Sequence, residues 1–182
     1  TPGQECAAAL VRVVSGTTQD QSDKSFLIAP AGHDYYVNDT GPNGDVLTTQ
    51  PGNNANSGKS PGAPMASLAA LLAAYDLGSG DVVHVDAGNY SLSRNIVITA
   101  NDSGVIIQGA DTTLPVFNRA STASGSYVFE MQSSPNVTLD HLAITGGYYG
   151  VIAGSGAASD GLNVSNCWVY SNSQQGIYLD GA

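Results

Sequence analysis

The sequence predicts an all-β chain wound as a parallel β-solenoid, and three observations carry that expectation. The first is composition: 22 Gly, 13 Asn, 20 Ser and 12 Thr make up 67 of 182 residues, while 11% are charged and 42% hydrophobic. Such a chain packs a core and turns often, with little of the Glu, Lys and Arg that fills exposed helices. The second is a regular return of short aliphatic stretches at 81–86 (DVVHVD), 104–109 (GVIIQG), 127–132 (YVFEMQ), 150–155 (GVIAGS) and 176–181 (GIYLDG), whose starts lie 23, 23, 23 and 26 residues apart. Each has a β-branched residue in second place: Val82, Val105, Val128, Val151 and Ile177. The third is the set of strand-like pieces between these returns, at 95–99, 136–139, 142–145, 162–164 and 167–170. Together they give five rungs of roughly 23 residues with about three strands each.

A repeat of this length cannot bury an apolar face alone, so successive copies must stack. Leucine-rich repeats share the period, but their Leu/Asn consensus is missing, and a β-sandwich would space its strands irregularly.

Three regions follow in order. Residues 1–34 form an N-terminal connector or extension, with one strand at 8–14 and a polar stretch at 15–24. Residues 35–80 hold a first strand, a polar loop at 38–63 and a helix at 65–76 (MASLAALLAAYD), with Pro64 suited to its first turn and Gly78 to its stop. Leu68, Leu71, Leu72 and Tyr75 form an apolar stripe on that helix, placing it as the cap over the first rung. Residues 81–182 are the rungs. They break off within the fifth without a capping device, so the protein is expected to continue past position 182 or to have this edge covered by another chain, through self-association or a partner.

The formal charge of −10 and pI near 4.2 exclude nucleic-acid or anionic-membrane binding by bulk electrostatics. No apolar run reaches membrane-spanning length. The chain opens at Thr1 with no basic or apolar leader, so either a leader was removed or the piece belongs to something longer; both fit a secreted or cell-surface location. Cys6 and Cys167 are too few for a disulfide framework and too far apart for a zinc knuckle. Cys167 reads as a small buried hydrophobe, with a bridge to Cys6 as the other reading.

The stretch YYVNDTG, then SPGAPMASLAALLAAYDLGSGDVVHVDAGNY, followed by NVTLDHLAITGG and LNVSNCWVYSNSQQGIYLDG, resembles the start of right-handed parallel β-helix proteins with the pectin-lyase-like fold. The resemblance covers about residues 35–182. It implies a right-handed parallel β-helix with an N-terminal capping α-helix. It also implies one of two functions: a repeated module of bacterial surface proteins and adhesins, or part of a polysaccharide lyase, glycoside hydrolase or uronan epimerase.

Residues able to do chemistry are sparse. Lys24, Lys59, Arg12, Arg94 and Arg119 are the only cations, and two of them lie in the rungs. Asp86, Glu130 and Asp180 are expected in the first, third and fifth rungs, each two rungs or roughly 10 Å along the axis from the next. Asp140 and His141 are adjacent and, on a strand, point to opposite faces. His84 faces outward between Val83 and Val85, and with His33 and His141 it makes no zinc spacing. No catalytic set is assigned, and no cofactor is implied beyond calcium.

For calcium the segment 38–45 (NDTGPNGD) nominates Asp39, Asn43 and Asp45, hard oxygen donors around glycines, although an Asx-rich turn uses the same residues. For carbohydrate the candidates are Tyr148, Tyr149, Trp168 and Tyr178, rings able to stack on pyranose faces. Asn38, Asn89, Asn101, Asn136 and Asn163 begin N-x-Ser/Thr triplets, read first as turn residues. The expected function is an extracellular structural or adhesive β-helix module in contact with carbohydrate. The alternative is the leading part of a polysaccharide-active enzyme whose groove lies on later rungs.

Overall fold

A computed structural model describes residues 6–24, 26–29, 31–41 and 44–181. At the start, β1 (Cys6–Ala9), β2 (Arg12–Ser15), β3 (Thr18–Gln21) and β4 (Phe26–Ile28) form two antiparallel pairs, β1 with β4 and β2 with β3. The single strand expected at 8–14 is therefore corrected. The extended run breaks at Leu10 and Val11, and the chain reverses at Gly16, whose φ of 62° suits a residue without a Cβ. Val11, Val13 and Val14 are exposed on this ribbon.

The parallel stack begins with β5 (Asp34–Val37). Its first turn is β6 (Val82–Val85), β7 (Asn89–Ser91) and β8 (Ile96–Ile98); the second is β9 (Ile106–Gly109), β10 (Val116–Asn118) and β11 (Tyr127–Met131). The third is β12 (Thr138–Asp140), β13 (Ala143–Thr145) and β14 (Tyr149–Ala153), and the fourth is β15 (Asn163–Ser165), β16 (Trp168–Tyr170) and β17 (Gln175–Leu179). Three parallel sheets result, ordered β5-β6-β9-β12-β15, β7-β10-β13-β16 and β8-β11-β14-β17. The chain is a parallel β-solenoid of about four turns with three strands in each, as expected.

The five aligned stretches do not all belong to one sheet. Val82 and Val105 enter the first sheet, whereas Val128, Val151 and Ile177 lie on the third, so the count is four turns and not five. Along the first sheet Val82 stands beside Ile106, Ile106 beside Thr138 and Thr138 beside Asn163, steps of 24, 32 and 25 residues. Most of the long step is an external loop at 119–126, which sets Tyr127 23 residues after Gly104 within a single turn and so mimics one more repeat.

Inward positions stack in columns. Val83, Ile107, Leu139 and Val164 make one; Tyr90, Phe117, Ile144 and Val169 another; Ile96, Phe129, Val151 and Ile177 a third. The first three members of each are buried. Corners are tight: a Cβ on Gly109 would run into the His141 carbonyl of the next turn.

Helix α1 (Leu68–Ala74) buries Leu68 and Leu71 and rests on β8, with Leu72 and Tyr75 packed against the core. Each buried leucine contributes about 2 kcal/mol. The helix is shorter than the expected 65–76. Met65 bridges Val37 as an extra strand residue, and Ser67 is the N-cap, its Oγ accepting from the Ala70 N–H at 3.2 Å. Tyr75 is extended, with its N–H donating to the Leu71 carbonyl. Among the described residues no helix is long and apolar enough to cross a membrane.

Candidate functional site

Stacking places equivalent outward side chains about 4.8 Å apart, within the range of about 4.5–7 Å at which aromatic ring centroids pair. On the third sheet Tyr127 and Tyr149 are register partners, and Tyr178, whose own partner is Ile152, stacks its ring on Tyr149 across the register, so the three form one ladder. The Tyr127 and Tyr149 ring centroids are 5.5 Å apart at 13°, and those of Tyr149 and Tyr178 4.9 Å apart at 11°. Tyr148 meets Tyr149 edge-on at 4.8 Å. Three of the four rings nominated for carbohydrate thus come together, with both faces of Tyr149 covered by its neighbours. Burial, then Glu130, pushes the Tyr127 hydroxyl up, and Asp180 does the same for Tyr178.

Trp168 is elsewhere, on the second sheet. It is 64% exposed and stacks on Tyr170 at 4.6 Å, leaving one indole face open. Tyr127 and Tyr170 were missed from sequence. The signals were there: Tyr127 opens an aligned stretch, and Tyr170 stands two residues from Trp168, on the same side of a strand.

The carboxylates are committed to holding loops. Asp86 is fully buried and accepts from the backbone N–H groups of Val46, Leu47, Thr48 and Ala87 and from the Thr48 hydroxyl, at 2.7 to 2.9 Å. Burial alone would raise its carboxyl, but these bonds outweigh it and hold Asp86 below the ordinary aspartate range. Glu130 accepts from Asn95 and Gln132, each at 2.8 Å, and Asn95 also accepts from Arg119. The expected even spacing of Asp86, Glu130 and Asp180 is corrected: Asp86 follows a strand of the first sheet in the first turn, whereas Glu130 lies on the third sheet in the second turn and Asp180 follows the strand of that sheet in the fourth.

Asp140 and His141 are likewise corrected. His141 turns the corner at φ 52°, which breaks the strand alternation and lets its Nδ1 meet Asp140 Oδ2 at 2.9 Å. Ser165 and Asn166 donate to the other oxygen. Against the pull of burial, these bonds lower the Asp140 carboxyl. His84 does face outward, stacked on Tyr36 and 2.8 Å from Asp34.

Of the calcium candidates, Asp39 accepts from Gly41 N–H at 2.7 Å and from Asn89 N–H at 3.1 Å, and Asp45 accepts from Asn38 Nδ2 at 2.9 Å. Asn43 lies outside the described residues. Asn38, which heads both that segment and a sequon, is itself fully buried. Asn136, at φ 60°, is the turn residue it was read as. Among the described residues no three of His, Cys, Asp and Glu gather to hold a metal. Cys167 is a free, half-buried thiol whose Sγ points at the Leu139 carbonyl, and burial pushes it up; the Cys6 side chain lies outside the described residues.

Fold and surface together define a helix-capped parallel β-solenoid with aromatic ladders on its outer faces. The chain matches no protein-family model, no curated protein and no solved structure among those it was compared with.

Proposed function

We propose that this chain is a structural and adhesive module of a secreted or cell-surface protein, a right-handed β-helix of the pectin-lyase-like kind that contacts polysaccharide through its exposed rings. The observation supporting this best is the pairing of aromatic and polar groups on a rigid face. The tyrosine ladder borders a hollow of about 370 Å³ lined by Tyr127, Glu130, Gln132 and Ser155, and Trp168 offers an open indole face on the next sheet. Rings suit the apolar faces of pyranoses, and the polar groups suit their hydroxyls. The charge of −10 favours neutral glycans; a polyuronate would need a bridging cation. Asp86, Glu130 and Asp140 spend their oxygens on internal bonds, which favours holding a glycan over cleaving it.

Trp168 is the sole tryptophan, so its fluorescence reports on one face alone. A neutral polysaccharide should shift its emission to the blue, and Trp168→Ala should abolish retardation of the protein in polysaccharide-containing gels. Unchanged emission across a panel of neutral and acidic glycans would overturn the reading. The alternative, the leading part of a polysaccharide lyase, hydrolase or epimerase with its groove on later rungs, would be favoured if a longer parent chain altered a polysaccharide while residues 1–182 alone neither altered nor bound it.

The same reading has the outer edge of the fourth turn covered by another strand layer, from continuing chain, a partner or a second copy. Its inward residues Ile177 and Leu179 are 41% and 54% exposed. Sedimentation at graded concentrations should reveal association that Ile177→Asp removes.

A further inference from the structure

The three sheets begin at the first turn, and their outer edges there are covered differently. On the first sheet β5 pairs with β6, and on the third α1 rests on β8. The second sheet begins at β7 with no strand beside it. The bonds between β7 and β10 use alternate residues, with Val116 N–H donating to the Gly88 carbonyl and Leu92 N–H to the Asn118 carbonyl. Asn89 and Ser91 therefore turn their main-chain groups to the open side, and both residues are exposed. Asp39 accepts from the Asn89 N–H. The Asn89 carbonyl and both the N–H and the carbonyl of Ser91 are left without a partner among the described residues.

This edge borders a cleft. A hollow of about 220 Å³ lies between β7 and the start of α1, and a second of about 540 Å³ continues from it past the corner to Arg94. Ser67, Ala69, Ser91 and Leu92 line both, so the two are continuous and together reach the size of a ligand site. An unpaired strand edge is a template for another extended chain, and the short side chain of Ala69 leaves room for its backbone. Charge selects the kind of chain. Of the two cations in the rungs, Arg119 donates to Asn95 Oδ1 and the Leu92 carbonyl, whereas Arg94 makes no hydrogen bond or ion pair among the described residues. Asp39 and Asp102, the carboxylates lining the cleft, are already held by backbone N–H groups. A free guanidinium at the end of an unpaired edge suits an incoming carboxylate.

We propose that the cleft between α1 and β7 is a docking site for an extended acidic segment of another protein, which adds to β7 as a strand and sets a carboxylate on Arg94. The site lies at the opposite edge of the second sheet from Trp168, and it goes beyond carbohydrate contact without depending on it.

The test uses the full chain and a displayed library of random heptapeptides. Selection should enrich peptides in which an acidic residue stands beside β-branched ones. Their synthetic, end-blocked forms should bind saturably, slow hydrogen exchange at the Ser91 amide and lose at least tenfold in affinity on Arg94→Ala. Methylating every second amide nitrogen of such a peptide should abolish binding in one of the two possible patterns and spare it in the other. Failure to enrich any peptide would overturn the proposal, and so would peptides that bind wild type and Arg94→Ala alike. A Ser91 amide already protected in the unbound chain would also overturn it, since a segment of this chain would then fill the cleft. Should Arg94→Ala fail to fold by circular dichroism, a glutamate-to-glutamine change in the peptide decides instead, with the same tenfold loss expected.

Discussion

The two ends of the stack are built from the same columns and kept dry to very different degrees. At the first turn Val83, Tyr90 and Ile96 are buried, because β5, α1 and the loop anchored on Asp86 lie over them. Lys59 closes the outermost edge, its Nζ 3.5 Å above the Tyr35 ring. At the fourth turn the column partners Val164 and Val169 are half-buried and Ile177 is exposed. A rung is thus only as stable as the layers on its two sides, and an inward-facing aliphatic gives no stability unless something lies over it.

The sharpest way to break this comparison is to truncate two members of one column. Phe129→Ala should cost about 3–5 kcal/mol and Ile177→Ala under about 1 kcal/mol, read from urea unfolding midpoints. Equal costs would mean that the fourth turn is covered after all. Amide exchange should agree, with β9 protected and β17 exchanging early.

Next in size is the anchor of the cap loop. Asp86→Asn should destabilise by about 3 kcal/mol, since an amide cannot accept all the donors that converge there. The pH dependence follows from the lowered carboxyl. Its contribution is complete above the ordinary aspartate value and is lost as pH falls from there through the lowered one. Wild type should therefore lose more stability than Asp86→Asn between neutral pH and about pH 3, and parallel curves would sink this account of the anchor.

A smaller effect is expected at the helix. Ser67→Ala removes one cap bond and should cost about 1 kcal/mol in chemical denaturation. Smallest is the N-terminal ribbon, where Val13→Thr at an exposed site should stay within about 0.5 kcal/mol.

Much of the architecture was legible because a solenoid writes its period into the chain. The alternation of Val83, His84 and Val85 and the leucine stripe of α1 were read correctly. The aligned columns were not, because all three sheets point β-branched residues inward; pattern alone cannot tell the face of Val105 from that of Val128. The site was less legible. Tyr148, Tyr149 and Tyr178 were found as rings on corners and strands, but their mutual stacking depends on which residues stand one turn apart.

The loop at 119–126 bulges from the second turn, yet Val116 and Phe117 still pair with Ala143 and Ile144 beneath it. Registration is negotiated between neighbouring strands and takes no account of how much chain wanders outside. A peptide, tag or whole domain spliced among the exposed residues Thr122, Ala123 and Ser124 would ride on the stack as cargo, at a fixed height along a rigid rod.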